Sequence, residues 1–249
     1  MKFRVTCRYD PGSGHGLVPV EDLIAAGCRF LGALKPYSVN QAAASLDQLA
    51  QLHASHWGDA ALASLPWLGS RLAKMGENYV SPGVLQGMLD GPRGEPLPAQ
   101  LRDAKRLQRG VKVLESRTAD NHPCLVHGDA HAGNVYETAA ARPGLIDWQL
   151  VQRGSWGLDV AYHVGATLAT SERERSERSL LDHYLERLRA YGAPPPPREA
   201  AWLQYRACLS YGYYLWAMTR KVEENITHEF VRRLGLAVAA HDSFGLLDV

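Results

Sequence analysis

The sequence has 249 residues, so one large domain or two small ones are expected. Its 27 basic and 26 acidic side chains give a net charge of +1, which lacks the basic excess of a nucleic-acid-binding protein. Its four cysteines form no Cys-x-x-Cys pair, which argues against a disulfide framework or a zinc ribbon. Because no apolar run approaches the roughly 18–20 residues of a membrane helix, and because charges occupy the start where a signal peptide is apolar, we expect a globular cytoplasmic protein that does not bind membranes.

The N-terminal segment predicts a β-hairpin. Residues 2–9 alternate roughly between polar and apolar side chains, residues 10–14 are turn-forming, and residues 17–20 are a second apolar run. A second hairpin is predicted from two short apolar runs at residues 135–137 and 144–146, which are separated by a segment ending in Pro-Gly.

The remaining pattern is mainly helical. The clearest helix begins after Ser38, which with Gln41 forms a capping box, and its apolar stripe continues to Trp57. Further helices are predicted over residues 68–75, 99–118, 171–191, 198–220 and 228–241. The sequence therefore predicts an α+β fold in which helices dominate.

The segment between residues 127 and 134 concentrates His, Asp and Asn side chains between two apolar runs, where functional groups are often held. If the following turn centres near residues 140–141, antiparallel pairing sets Asn134 opposite Asp147, about 5 Å away. One amide oxygen and one carboxylate at that distance suit Mg²⁺. Asp129 would face the same space and would take a hydroxyl proton during phosphoryl transfer. Alternatively, the three side chains satisfy backbone groups in a tight loop.

The pattern His127-x-Asp129-x-x-x-x-Asn134, followed by Leu-Ile-Asp-Trp-Gln at residues 145–149, resembles the aminoglycoside phosphotransferase and choline kinase-like superfamily. The Ile-Asp-Trp-Gln form looks most like its ecdysteroid kinase-like branch. Similarity extends over about residues 10–220 and includes Trp-Gly-Leu-Asp-Val-Ala at residues 156–161. The resemblance implies a protein-kinase-like fold and transfer of the ATP γ-phosphate to a hydroxyl group of a small molecule.

The resemblance also implies roles for individual residues. Asp129 would be the catalytic base, and Asn134 and Asp147 would hold magnesium on the phosphates of ATP. The backbone at the hinge would meet the adenine, and a set of side chains would support the loop or the substrate. The hinge residues are Glu21, Asp22 and Leu23, and the supporting residues are His127, His131, Gln149 and Asp159.

Two parts of the phosphotransfer machinery have no clear counterpart in the sequence. A glycine-rich phosphate loop and a strand lysine paired with a helix glutamate belong before the hinge, yet only about 20 residues precede Glu21. The glycines at residues 12–16 are placed as a turn. We therefore interpret residues 1–23 as a remnant of the small lobe with the hinge, and residues 24–249 as the helical large lobe.

Three explanations for this shortness compete: a truncated gene or misassigned start, an excised fragment, or a natural kinase-like protein without activity. In each case we expect little ATP-dependent turnover from this chain alone, because each missing group is worth several kcal/mol of barrier.

Two other classes of function remain open. The alternation His127, Asp129, His131 would suit a metal-dependent hydrolase, with His122 and His163 as the best further ligands. A non-catalytic ligand-binding module would instead use the aromatic residues of the helix at 198–220, some of which should be core and some of which should reach the cleft. These rings favour an apolar hydroxylated substrate, and the sequence leaves the substrate and the oligomeric state undefined.

Overall fold

The computed structural model describes residues 8–76, 80–118 and 122–249, and its elements follow one another as short strands and longer helices. The strands are β1 (Arg8–Asp10), β2 (His15–Leu17), β3 (Arg29–Phe30), β4 (Pro123–Val126), β5 (Val135–Glu137), β6 (Pro143–Leu145) and β7 (Gln152–Ser155). The helices are α1 (Val39–Ser55), α2 (Arg71–Gly76), α3 (Pro82–Asp90), α4 (Ala104–Thr118), α5 (Trp156–Thr167), α6 (Thr170–Ala190), α7 (Arg198–Met218), α8 (Glu224–Ala240) and α9 (Ser243–Leu246). The predicted α+β, mainly helical architecture is confirmed.

The N-terminal hairpin is present, with β1 antiparallel to β2 and Tyr9 opposite Gly16. The Asp10 carboxylate accepts hydrogen bonds from the backbone N–H groups of Gly12 and Ser13, which fixes the turn. Residues 2–7 of the predicted first strand lie outside the described residues.

Helix α1 begins at the predicted capping box. Ser38 Oγ accepts from the N–H of Gln41 at 3.3 Å, and Gln41 Oε1 accepts from the N–H of Ser38 at 3.0 Å. The helix ends at Ser55, two residues before the predicted end at Trp57. The other predicted helices occur with ends shifted by a few residues, and the segment at 99–118 divides into a short 3₁₀ turn and α4.

Helix α5 forms the centre of the core, since all of its residues are buried. It packs against α7, α1, α8 and α6, and a helix surrounded in this way needs apolar side chains on every face. No helix in the described ranges combines the length and the apolar character that crossing a membrane would require.

The register of the β5–β6 hairpin differs from the prediction by one residue. Val135 lies opposite Leu145, and the N–H of Ile146 donates to the carbonyl of Asn134 at 3.0 Å. The predicted pairing of Asn134 with Asp147 is therefore wrong. The turn between Thr138 and Arg142 is closed by a 2.9 Å backbone hydrogen bond, so it centres on residue 140 and leaves Asp147 beyond the last pair.

Candidate active site

The loop between β4 and β5 is anchored by the buried carboxylate of Asp159, at the start of α5. This carboxylate accepts from the N–H of His127 at 2.7 Å and from the N–H of Gly128 at 2.8 Å, and it lies 3.1 Å from His53 Nε2. Burial alone would raise the pKa of Asp159, but these hydrogen bonds and the neighbouring histidines hold it below its ordinary value. Asp159 therefore fixes the backbone that leads to Asp129.

Gly128 allows the sharp bend of this loop. Its φ is +81°, and a Cβ at this position would lie 2.2 Å from the carbonyl oxygen of Leu150. Any other residue would be strained here and would also collide with the backbone of the neighbouring segment. The glycine thus lets the loop turn directly beneath the segment that follows Asp147.

His127 joins the loop to the end of β6. Its Nδ1 accepts from the N–H of Asp129 at 3.2 Å, so its Nε2 carries the proton and donates to the carbonyl of Ile146 at 2.8 Å. The imidazole lies 4.6 Å from the Trp148 ring, centroid to centroid. These contacts brace the loop, and the side chain is fully buried.

The carboxylate of Asp129 is held by two donors. Its Oδ1 accepts from the hydroxyl of Tyr162 at 3.2 Å, and its Oδ2 accepts from Nδ2 of Asn134 at 3.1 Å. Burial raises the pKa of Asp129 to about 7, with a further contribution from the charge of Asp147 that the two hydrogen bonds oppose. A carboxylate that titrates near neutral pH is well matched to general-base catalysis.

Asn134 and Asp147 are the two predicted metal ligands. The Nδ2 of Asn134 donates to the backbone and the carboxylate of Asp129, which leaves Oδ1 as its remaining acceptor. Asn134 is 7% exposed and is not among the lining residues of the two cavities described below. Asp147 has a φ of +59° and its side chain makes no capping hydrogen bond. This left-handed backbone turns the chain at the end of β6, so Asp147 lies beside Asp129 although it is not opposite Asn134 in the hairpin.

His131 lies against an aromatic cluster. Its Nδ1 accepts from the N–H of Gly133 at 3.0 Å, and its Nε2 lies 3.8 Å from Asp129 Oδ1. Its ring packs against Tyr162, Trp216 and Phe230. Burial lowers the pKa of His131 to about 3, so the ring is neutral at physiological pH.

Tyr162 is a site residue that the sequence analysis missed. It lies on α5, three residues after Asp159, and its hydroxyl accepts from Trp216 Nε1 at 2.6 Å while donating to Asp129. Helical spacing from Asp159 is the one signal in the sequence that would have placed it on the same face.

Two cavities lie beside Asp147. The first, of about 520 Å³, contains Asp129, His131, Asp147 and Gln149 in its lining. The second, of about 590 Å³, lies between the 20–24 segment and the β5–β6 hairpin. Asp147 lines both cavities.

The predicted hinge residues Glu21, Asp22 and Leu23 all line the second cavity. The carboxylate of Asp22 accepts from the N–H groups of Ile24 and Ala25, so it shapes the local turn and is engaged within the chain. The predicted supporting residue Gln149 lies in the lining of the first cavity and is exposed.

The hydrolase alternative gains no support from this geometry. His163 is buried on α5, where its Nδ1 donates to the carbonyl of Ala130 at 2.8 Å, and its pKa is lowered to about 4, chiefly by burial. Across the described part of the chain, no group of three or more His, Cys, Asp or Glu side chains is arranged to hold a metal ion.

The sequence model of the phosphotransferase enzyme family matches residues 14–203. The chain belongs to this family. This membership agrees with the resemblance drawn from the loop at residues 127–134, and the mainly helical α+β architecture agrees with the expected kinase-like fold. No curated protein matches the sequence.

Three solved structures that are similar to this family member have low sequence identity to it. Choline kinase LicA from Streptococcus pneumoniae is 16% identical, with a TM-score of 0.49, over 96% of this chain and 74% of that chain. The same enzyme in complex with AMP gives 16% identity and a TM-score of 0.44, over 97% and 74%. Macrolide 2'-phosphotransferase MphH from Brachybacterium faecium is 18% identical, with a TM-score of 0.38, over 86% of this chain and 61% of that chain.

Proposed function

We propose that this family member transfers the γ-phosphoryl group of ATP to a hydroxyl group of a small molecule. The nucleotide would occupy the cavity beside the 20–24 segment, and the acceptor would occupy the cavity that contains Asp129. The observation that carries the proposal is that Asp147 lines both cavities, with Asp129 in the acceptor cavity. A phosphate held at Asp147 would lie at the junction of the two spaces, where transfer between them takes place.

In this mechanism Asp129 is the catalytic base. Its carboxylate takes the proton of the acceptor hydroxyl while the acceptor oxygen forms a bond to the γ-phosphorus. The bond between that phosphorus and the bridging β–γ oxygen breaks, and ADP leaves with the electron pair. A pKa near 7 leaves about half of the Asp129 side chains ionised at neutral pH, and Tyr162 and Asn134 hold the carboxylate in one orientation.

The donor set fits a magnesium ion that arrives with the nucleotide. Mg²⁺ prefers oxygen ligands and is commonly held by one or two protein groups together with substrate phosphates. Asp147 offers an exposed carboxylate without a capping hydrogen bond, and Asn134 offers its Oδ1. When bound, the ion would supply charge neutralisation on the phosphate oxygens.

Single-turnover kinetics separate the phosphoryl-transfer step from product release. The test is therefore a single-turnover assay with protein in excess over γ-labelled ATP, Mg²⁺ and a mixture of alcohols. We expect label in an organic phosphate with the native chain and a loss of at least 100-fold with Asp129→Asn.

Asp182→Asn is the matched control, since Asp182 pairs with Arg198 on the surface at 2.9 Å. Transfer that persists in Asp129→Asn would contradict the proposed mechanism. A thermal shift by ATP that is independent of Mg²⁺, and equal in the native chain and in Asp147→Asn, would contradict the assignment of the metal ligands. ATP binding with no transfer under any condition would favour the non-catalytic binding module.

A further inference from the structure

The lining of the acceptor cavity combines two carboxylates with a largely apolar wall. The carboxylates are those of Asp129, on the loop between β4 and β5, and of Asp147, after β6. Helix α7, the segment after it and α8 supply the wall, which is apolar apart from Thr219. That wall comprises Leu215, Trp216, Met218, Val222, Ile226 and Phe230.

We infer that the acceptor is a neutral, largely apolar alcohol that presents its hydroxyl group to Asp129 and buries its carbon skeleton against this wall; the inference rests on the proposed function. The cavity volume of about 520 Å³ lies within the range that suits a drug-sized ligand. Burial of apolar surface would supply most of the binding free energy.

A cationic acceptor finds no partner on this wall. The two carboxylates in the lining already serve the base and the proposed metal site. Glu223 and Glu224 follow Val222 in the chain, but neither lines the cavity, and the charge of Glu224 acts on Arg93. A buried ammonium group would therefore remain uncompensated there.

The aromatic rings also leave no open face for an onium ion. Trp216 stacks on Phe230 with ring centroids 4.1 Å apart, and His131 meets Trp216 edge-on at 5.1 Å. Trp216 is only 5% exposed and Phe230 only 1%. Because a cation–π contact needs the face of a ring, these side chains act as an apolar wall.

An anionic acceptor is disfavoured for the complementary reason. The described lining residues include no lysine or arginine, and the buried His131 is uncharged at neutral pH. An anion would meet Asp129 and Asp147 without any cation to offset them. The lining therefore disfavours cationic and anionic acceptors alike, and we expect an acceptor without charge.

The experiment compares cyclododecanol with cyclododecylamine, which have the same ring and differ in charge, together with choline and kanamycin. Binding to the native chain is measured by calorimetry, with the quenching of tryptophan fluorescence as a second signal. We expect cyclododecanol to bind at least about tenfold more tightly than each of the three cations.

Val222→Asp places a charge on the wall at a residue that is 40% exposed, so the substitution is compatible with folding. We expect it to weaken cyclododecanol binding about tenfold. Leu203→Asp is the matched control on α7, at a residue that is 50% exposed and does not line the cavity. It should leave the affinity unchanged.

The inference is overturned if any of the cations binds more tightly than cyclododecanol, if cyclododecanol does not bind, or if Val222→Asp has no effect. Failure of the proposed function looks different. Wall-dependent binding of cyclododecanol without any phosphate transfer would leave the apolar site in place and reject the kinase activity. Phosphorylation of kanamycin or choline alone would keep the kinase activity and reject the neutral acceptor.

Discussion

The hydroxyl of Tyr162 donates a hydrogen bond to the carboxylate of Asp129 over 3.2 Å. The same hydroxyl accepts from the indole of Trp216 at 2.6 Å, which sets the direction in which its own proton points. Trp216 also belongs to the apolar wall of the acceptor cavity. One hydrogen-bonded chain thus connects the surface that would bind the acceptor with the proposed base.

Replacing Tyr162 by Phe should lower the single-turnover rate about tenfold, because Asp129 loses a donor that orients it. The free energy of unfolding should fall by about 1–3 kcal/mol, since the Trp216 N–H is left without its partner in the core. Tyr213→Phe is the matched control, because its buried hydroxyl donates to the carbonyl of Leu101 at 2.8 Å, away from the site. Equal losses of rate in Tyr162→Phe and Tyr213→Phe would show that the role of Tyr162 is only structural.

Asp129→Asn should make the protein more stable at pH 8 than the native chain, when both are measured without metal or nucleotide. Burial raises the pKa of Asp129 from 3.8 to about 7. At a pH between these two values the Asp129 carboxylate therefore takes up a proton when the chain folds. The native chain therefore loses stability as the pH rises through this window. The asparagine variant has no such penalty and should be roughly 1–3 kcal/mol more stable at pH 8.

The corresponding measurement is thermal or urea unfolding in EDTA at several pH values. The advantage of the variant should shrink as the pH falls from 8 towards 4, because both forms are then neutral at this position. A difference in stability that is the same at pH 5 and pH 8 would argue against the raised pKa.

Asp159→Asn should destabilise the fold by about 2–4 kcal/mol, because a buried carboxylate with several donors loses its charge and one acceptor site. The backbone N–H groups of His127 and Gly128 and the His53 ring all depend on it. Asp182→Asn, at a surface ion pair, should change the unfolding free energy by less than about 1 kcal/mol. Chemical denaturation measures the unfolding free energy of both variants. Equally small losses in the two would contradict the role of Asp159 as the anchor of the loop.

Arg93→Ala should raise the KM for the acceptor about fivefold while leaving the affinity for ATP unchanged. The guanidinium of Arg93 donates to the carbonyls of Ala217 and Thr219 at 3.0 and 2.7 Å, and so holds the end of α7 and the segment that carries Val222. Loosening this segment disturbs the apolar wall without touching the nucleotide cavity.

Arg178→Ala is the control for Arg93→Ala. The guanidinium carbon of Arg178, on α6, lies 4.2 Å from the ring centroid of Trp202, which is near the beginning of α7, whereas Arg93 holds the end of that helix. A rise in the KM for ATP as large as that for the acceptor would show that Arg93 acts on the whole fold.

The sequence by itself determined the mainly helical α+β class, the family and the loop that carries the candidate site. These follow from local signals: the capping box at Ser38, the apolar stripes of the helices, and the spacing of His127, Asp129 and Asn134. Each depends on residues that are near neighbours along the chain, so the pattern can be read without knowing the packing.

The tertiary structure alone decided the register of the β5–β6 hairpin and the surroundings of Asp129. The turn centres on residue 140, which moved Asp147 out of the pairing with Asn134 that a centre near residues 140–141 had predicted, and the backbone at Asp147 is left-handed. The short strand β3 and the contact between Tyr162 and Trp216 join segments far apart in the chain. Burial, the raised pKa of Asp129 and the charge-free wall arise only when such segments meet, because desolvation depends on every neighbour in space.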